Sequence, residues 1–385
     1  MTGLARSPIL YPMQKKSVVI VTDNLSGFIV AHALEKQGFA VTLVDTDNQP
    51  RAADRFQRLG VPFYRDTSQF RHGIREISEA IAALDPQFSG IELSEVNLAP
   101  QTFIDHELHP FVGFGDSKST ATHSLTHFNH SSRLRLSLTE SEIISKLLSQ
   151  IQFKWISYAE VTGLHFNHNS LEKITINGHQ DLAADSFIFL TAPHEWLPVL
   201  PHEVLGTRTR TRLAKCHYFS RISLEFTHTQ AVSTDENVFI LTPNQADHSP
   251  CAGQFFLQSS PTGVQYKSMW ETYISSELIE DSEFVAAEIK NVRKLVRKAF
   301  PNIEEKPLEI ITISPFAHSD LQWTFDQKDL HEVASNLLIY PSLGANSLGF
   351  MQCVEAASWA LDGHSARLAE KPSSNTDETQ PSLLS

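Results

Sequence analysis

The sequence predicts an α/β protein, and three features of the chain predict it. A strand, a helix and a second strand follow one another over 17–45, and together they form a βαβ unit of the kind that builds a parallel sheet. Alternating apolar and polar residues over 215–275 predict antiparallel strands. An amphipathic helix is predicted directly after them, over 283–300.

The N-terminal βαβ unit is the clearest pattern in the chain. Residues 17–22 are an apolar, β-branched run, as expected of a buried parallel strand. Residues 26–37 carry apolar side chains at helical spacing, and Gly38 ends this helix. Residues 40–45 form a second apolar strand that ends in an acid, Asp45.

In the middle of the chain, only some stretches have a clear secondary-structure pattern. Helices are predicted over 71–84 and over 139–151, and Thr139 and Glu142 open the second helix as a capping box. Residues 113–133 are rich in Gly, Ser, Thr and His and predict a long loop. Further strands are predicted at 158–166, 171–177 and 187–190.

The C-terminal third predicts two more strands and a last helix. The strands lie at 308–313 and 336–340, and the helix lies at 349–361. From about residue 365 the chain is polar and rich in Ser, Thr and Pro, so 365–385 is predicted to be a disordered tail.

The composition of the chain indicates the cellular compartment and the kinds of partner to expect. The chain has 385 residues, a net charge of −13 and 41% hydrophobic residues. A packed core is therefore expected, whereas nucleic acid is not an expected partner. The three cysteines form no CxxC pair, and neither a signal peptide nor an apolar membrane span is recognisable. The sequence thus predicts a cytoplasmic protein without a membrane span.

The order of elements resembles the flavin amine oxidase and phytoene desaturase superfamily of FAD-dependent oxidoreductases. Three segments carry the resemblance: the N-terminal βαβ unit, the run from LTESEIISKLLSQ to ADSFIFLTAPHEWL, and NLLIYPSLGANSLGFMQCVEAASWALDG. The resemblance implies an FAD/NAD(P)-binding Rossmann-like domain built from 15–65, 138–205 and 330–364. It also implies an α+β substrate-type domain with a mostly antiparallel sheet, built from 66–137 and 206–329.

The phosphate-binding turn of such folds carries GxGxxG. The first glycine makes the turn, the second lets the backbone approach the pyrophosphate, and the third lets the helix pack on the strand. The matching residues are Thr22, Asn24 and Gly27, so only the packing glycine is kept. The chain has 16 glycines among its 385 residues, against roughly 7% in average proteins, and this shortage agrees with the altered turn.

The resemblance implies further FAD contacts elsewhere in the chain. Asp45 lies where the family has an acid for the adenosine ribose, although an acid that ends a strand is often a turn residue. Val161 matches a backbone contact at the adenine end, and a valine there is equally expected in a hairpin core. The family's C-terminal Gly-Asp falls on Pro341 and Ser342, while Gly349 before the last helix is kept.

Two hypotheses about function therefore stay open. The first is an FAD-linked oxidoreductase that acts on an apolar or amine-bearing small molecule. The second is a cofactor-free pseudoenzyme that acts as a binding or scaffolding protein, and the sequence names no catalytic residue for either. Aromatic residues in the second domain either line an apolar substrate pocket or form that domain's core: Phe255, Phe256, Tyr266, Trp270, Trp323 and Phe325.

Metal chemistry is a third, weaker hypothesis. The run from Asp105 to His109 resembles HExxH but is one residue short, and Pro110 argues against a helix there. His123, His127 and His130 have a better ligand spacing, but they lie in the predicted loop. The sequence therefore predicts no metal site.

Overall fold

The computed structural model describes residues 15–23, 25–46, 61–64, 93–96, 100–114, 125, 131–136, 145–146, 148–150, 152–233, 237–243, 248–260, 263–303, 308–319 and 334–339. The predicted helices over 71–84 and 349–361 and the predicted tail lie outside these residues. Of the predicted helix over 139–151, three described residues, 145, 146 and 148, are helical.

The described strands and helices alternate along the chain. In order they are β1 (Ser17–Thr22), α1 (Leu25–Lys36), β2 (Ala40–Asp45), β3 (Val61–Tyr64), β4 (Leu93–Val96), β5 (Gln101–Ile104), β6 (Glu107–Pro110), β7 (Ser131–Leu136), β8 (Lys154–Ile156), β9 (Val161–Asn167), β10 (Ser170–Ile176), β11 (Gln180–Ala183), β12 (Ser186–Leu190), α2 (Pro193–Trp196), α3 (Thr207–Ala214), β13 (Tyr218–His228), β14 (Phe239–Leu241), β15 (Cys251–Ser260), β16 (Gly263–Ser275), α4 (Ser282–Ala299), β17 (Leu308–Ser319) and β18 (Leu337–Ile339).

A five-stranded parallel sheet draws on widely separated parts of the chain. Its strand order is β18-β12-β1-β2-β8, and every neighbouring pair is parallel. The strands β1 and β12 are buried almost throughout, which explains their continuous apolar sequences. The α/β class predicted from the sequence is thus confirmed, and the sheet includes one strand, β8, that the sequence did not reveal.

The βαβ unit agrees closely with its prediction. Both strands have the predicted bounds, and α1 begins and ends one residue earlier than predicted. Phe28, Ile29 and Leu34 of α1 are buried against the sheet. Gly38 ends the helix with a φ of +89°, a conformation that a side chain disfavours.

A three-stranded antiparallel sheet, β9-β10-β11, lies between β8 and β12 in the chain. The hairpin of β9 and β10 was predicted, but β9 begins at Val161 rather than at 158. Tyr158 has a φ of +55°, which is incompatible with an extended strand. The short strand β11 was not predicted.

Asn336 joins this hairpin to the last strand of the parallel sheet. Its side-chain Nδ2 donates to the carbonyl of Leu171 at 2.9 Å and to that of Asp185 at 3.2 Å, and its Oδ1 accepts from the Leu171 N–H at 2.8 Å. The residue is 7% exposed. One buried amide thus holds together three segments that are distant in sequence.

A seven-stranded, mostly antiparallel sheet contains the strands predicted over 215–275; we call it the large sheet. Its order is β17-β13-β16-β15-β14-β5-β6, and one pair, β14 with β5, is parallel. The helix α4 packs on one face, as its amphipathic sequence predicts. Asp281 caps α4 by accepting from the N–H groups of Glu283 and Phe284.

Two predicted details of the second half need correction. The strand β17 extends to Ser319 instead of 313 and forms the edge next to β13. A separate three-stranded sheet, β3-β7-β4, includes residues 131–133, which the sequence assigned to a long loop.

Candidate functional site

The carboxyl ends of β1, β2 and β12 meet at one edge of the parallel sheet. Thr22 at the end of β1 is directly opposite Asp45 in β2 and Leu190 in β12. Ligands of open α/β sheets bind outside this edge, near the N-terminus of the helix that follows the first strand. The structure therefore brings two predicted site residues, Thr22 and Asp45, together at this edge of the sheet.

Thr22 and Gly27 are packed against each other where the strand meets α1. A Cβ atom built on Gly27 would lie 2.3 Å from both Cβ and Cγ2 of Thr22 and 2.6 Å from its Oγ1. Thr22 is fully buried. Its side chain is thus accommodated because residue 27 has none, and a side chain at 27 would force the helix away from the strand.

Asp45 is held by backbone hydrogen bonds on the edge of the sheet. Its carbonyl accepts from the N–H of Ala159 at 3.0 Å, and the N–H of the following residue, Thr46, donates to the Thr22 carbonyl at 2.8 Å. The residue is 5% exposed. These bonds fix Asp45 beside Thr22 and join both to the segment that leads into β9.

Val161 begins β9 two residues after Ala159, close to the same edge. Its side chain is 6% exposed and belongs to a core cluster with Val21, Val44 and Ile176. Its side chain thus has a packing role, and a backbone contact with a nucleotide stays a prediction. Asn24, Ser342 and Gly349 lie outside the described residues.

Sequence reasoning missed two polar groups that follow β12. Thr191 is fully buried, and in the described part of the chain its hydroxyl has no hydrogen-bond partner. His194 stacks on Phe316 with ring centroids 3.9 Å apart, and burial lowers its pKa to about 4. The sequence signal for Thr191 was a polar residue directly after a buried strand, whereas His194 had no such signal.

The ring that stacks on His194 has an unusual backbone. Phe316 of β17 has a φ of +51°, which is rare for a bulky residue. Its N–H donates to the hydroxyl of Ser220 in β13 at 3.3 Å, next to a shift in the β13–β17 register. Tyr218 packs edge-on to both rings. This aromatic cluster therefore connects the segment after β12 with the large sheet.

The two faces of the large sheet differ in chemistry. The face against α4 is mainly apolar and includes Phe255 and Trp270, which lie in one core cluster. The α4-facing position of these two residues supports the core hypothesis for them. Phe256 and Tyr266 are half-buried, while Trp323 and Phe325 lie outside the described residues.

The opposite face carries buried polar and charged residues; we call it the polar face. Strand alternation and register place Arg221 and Ser223 of β13 beside Tyr273 and Glu271 of β16, and Gln254 of β15 lies on the same face. All five are less than 9% exposed. Charged side chains are rarely buried this deeply. The sequence gave no indication of their burial beyond the alternation of apolar and polar residues.

The metal hypothesis gains no support from the described residues. Asp105 and His106 form the turn between β5 and β6, with φ values of +49° and +70°, so the HExxH-like run is a hairpin rather than a helix. No group of three or more His, Cys, Asp or Glu within the described ranges is placed to hold a metal ion. His123, His127 and His130 lie outside those ranges.

No described helix is both long enough and apolar enough to cross a membrane.

Comparison with known proteins identifies the fold but no family. No protein-family model and no curated protein sequence matches the chain. Among solved structures, an oxidoreductase from Methanosarcina mazei aligns with a TM-score of 0.56 and 12% identity over 88% of this chain and 100% of its own. A Pyrococcus furiosus protein aligns with a TM-score of 0.52 and 10% identity over 89% and 97%. At these identities the likeness shows a shared fold.

Proposed function

We propose that the chain is an FAD-linked oxidoreductase of the amine oxidase or desaturase type that acts on a small molecule. The observation that carries the proposal is the pairing of Thr22 and Asp45 at the carboxyl edge of the parallel sheet, beside the start of α1. The oxidoreductase named among the fold neighbours supports the same class of activity.

The residues at this edge fit a dinucleotide in two respects. Asp45 would accept hydrogen bonds from the adenosine ribose, and the N–H groups of the first turn of α1 would face the pyrophosphate. The packing of Thr22 on Gly27 brings the start of α1 close to the end of β1, as such a site needs. Bound FAD would supply the hydride acceptor, while the protein supplies orientation.

The proposal includes the domain boundaries. Residues 15–65, 138–205 and 330–364 would form the dinucleotide domain, and 66–137 and 206–329 would form the substrate domain. Val161, Asn24, Ser342 and Gly349 would complete the FAD contacts. A cytoplasmic location likewise stays a prediction from the sequence.

An absorbance spectrum of the purified full chain, before and after addition of FAD, tests the proposal. Oxidised flavin absorbs in the visible range, so binding gives a yellow protein after removal of free FAD. We expect Asp45→Asn to weaken FAD binding at least about tenfold, because hydrogen bonds to a charged group contribute about 1.5–3 kcal/mol. Asp185→Asn is the matched control, since Asp185 directly precedes β12 and its carboxylate accepts a hydrogen bond from the N–H of Ser17. Equal binding by both variants would contradict the role of Asp45.

A cofactor-free binding or scaffolding protein is the second candidate, and one observation favours it. Where the family has its turn glycine, this chain has a fully buried threonine that is packed into the strand–helix contact. A chain that takes up no FAD, but gains binding when Thr22→Gly is combined with Asn24→Gly, would support this candidate over the first.

A further inference from the structure

The polar face of the large sheet contains an unused hydrogen-bonding group. Ser223 is 5% exposed, and its hydroxyl has no hydrogen-bond partner in the described part of the chain. A buried polar group without a partner costs about 1–3 kcal/mol. Such groups call for an explanation, and a ligand that supplies the missing bond is one.

An acidic and a basic side chain lie next to Ser223. Glu271 is directly across from it in β16 and is fully buried, and Arg221 lies two residues before it on the same face. Arg221 donates to the hydroxyl of Ser314 at 3.1 Å, and Glu271 accepts from the hydroxyl of Tyr273 at 3.2 Å. This part of the face thus contains both a hydrogen-bond donor and a hydrogen-bond acceptor beside Ser223.

Ser223 is flanked on the polar face by two different groups of side chains. At one end, Phe111 and Leu125 pack with Tyr273 and its neighbours in an apolar cluster. At the other end, Lys267 forms an ion pair with Glu225. Ser223 lies between the apolar cluster and the ion pair.

We infer that the polar face binds the polar end of a neutral small molecule, with the Ser223 hydroxyl as the direct contact and an alcohol as the ligand's polar group. A charged ligand group would be buried on this face, which costs more than burial of a neutral group. A ligand hydroxyl can both donate to and accept from Ser223, Arg221 and Glu271. The inference rests on the proposed function, of which it names the substrate class, and it replaces the apolar or amine-bearing substrate expected from the sequence.

Four molecules of one shape but different charge test the inference. Benzyl alcohol, toluene, benzylamine and benzoate share a ring and differ in the polar group. Saturation-transfer NMR on the full chain, with and without FAD, measures their binding. We expect benzyl alcohol to bind at least about tenfold more tightly than the other three, which is the size of one good hydrogen bond.

The variant Ser223→Ala should abolish this preference without lowering the melting temperature, because no internal hydrogen bond is lost. Ser220→Ala is the matched control on the same strand. The Ser220 hydroxyl donates to that of Ser276 at 2.9 Å and accepts from the Phe316 N–H, so this variant should melt earlier and keep the preference for benzyl alcohol.

Three outcomes would overturn the inference: tighter binding of benzylamine or benzoate, an unchanged preference in Ser223→Ala, or no binding by any of the four, which would leave an ordered water as the partner of Ser223. The proposed function fails separately. If the chain takes up no FAD but binds benzyl alcohol through Ser223, the ligand site stands and the flavin proposal falls.

Discussion

The contact between Thr22 and Gly27 gives the sharpest test of the dinucleotide site. In Gly27→Ala the new Cβ would lie 2.3 Å from Cβ and Cγ2 of Thr22. A rotation of the threonine about χ1 cannot move its own Cβ, so α1 has to shift away from β1. Overpacking of this kind costs about 1–3 kcal/mol, and the overlap of more than an ångström places the cost at the upper end.

Helix propensity offsets part of this cost. Gly27 lies inside α1, where Ala is favoured over Gly by about 1 kcal/mol. The net loss is then about 2 kcal/mol, or a melting temperature lower by about 4 °C for a large chain. Thermal melting of the full chain, followed by far-ultraviolet circular dichroism, measures the shift. Gly206→Ala is the control, because its Cβ would meet no atom within 4 Å.

The double variant separates the clash from other effects. Thr22→Gly removes the three atoms nearest to the new Cβ, so in that background Gly27→Ala should stabilise the chain by the helix-propensity gain of about 1 kcal/mol. The coupling free energy between the two changes should therefore reach about 3 kcal/mol. Additive effects of the two substitutions would refute the packing argument, and so would a Gly27→Ala variant as stable as the Gly206→Ala control.

Two further predictions concern the segments that support the site. Asn336→Ala should destabilise the chain by about 2–3 kcal/mol, because it removes the side-chain partners of the buried N–H and carbonyl of Leu171, and urea denaturation measures this loss. Burial lowers the pKa of His194 from 6.5 to about 4, so between these pH values the unfolded chain binds a proton that the folded chain does not, and stability falls as the pH falls. His194→Phe keeps the stacked ring. Between pH 6.5 and pH 4 this variant should lose about 2 kcal/mol less unfolding free energy than the wild type. If the melting temperatures of wild type and variant fell by the same amount between pH 6.5 and pH 4, the assigned burial of His194 would be contradicted.

Local patterns made the βαβ unit and α4 predictable. Continuous β-branched runs identify strands that are buried on both faces, as in β1, and a 3.6-residue period of apolar side chains identifies α4. The strands β8 and β11 have only three and four residues. Their pairing is decided by distant partners, so no local period reveals them.

The candidate site was predictable only where it follows a strand end. Thr22 and Asp45 close apolar strands, and strand order brings their ends together. The partner of Thr22, by contrast, could not be inferred from sequence: Gly27 was expected to pack on the strand, but the sequence does not show that a threonine side chain fills that contact. Ser223 was missed for a related reason. Its neighbours Ile222 and Leu224 predict a strand, but only the register with β16 places Glu271 opposite it.

The Thr22–Gly27 contact and the Ser223 hydroxyl bear differently on the two functional hypotheses. A protein that had lost its cofactor would keep the Thr22–Gly27 contact, because this contact stabilises the strand–helix packing whether or not a nucleotide binds. It would gain nothing from an unpartnered buried hydroxyl at Ser223, which costs stability in every state without a ligand. Destabilising groups persist where function uses them. The Ser223 hydroxyl therefore argues for a ligand on the large sheet even if flavin is absent, and binding by the polar face should be measured whatever the absorbance spectrum shows.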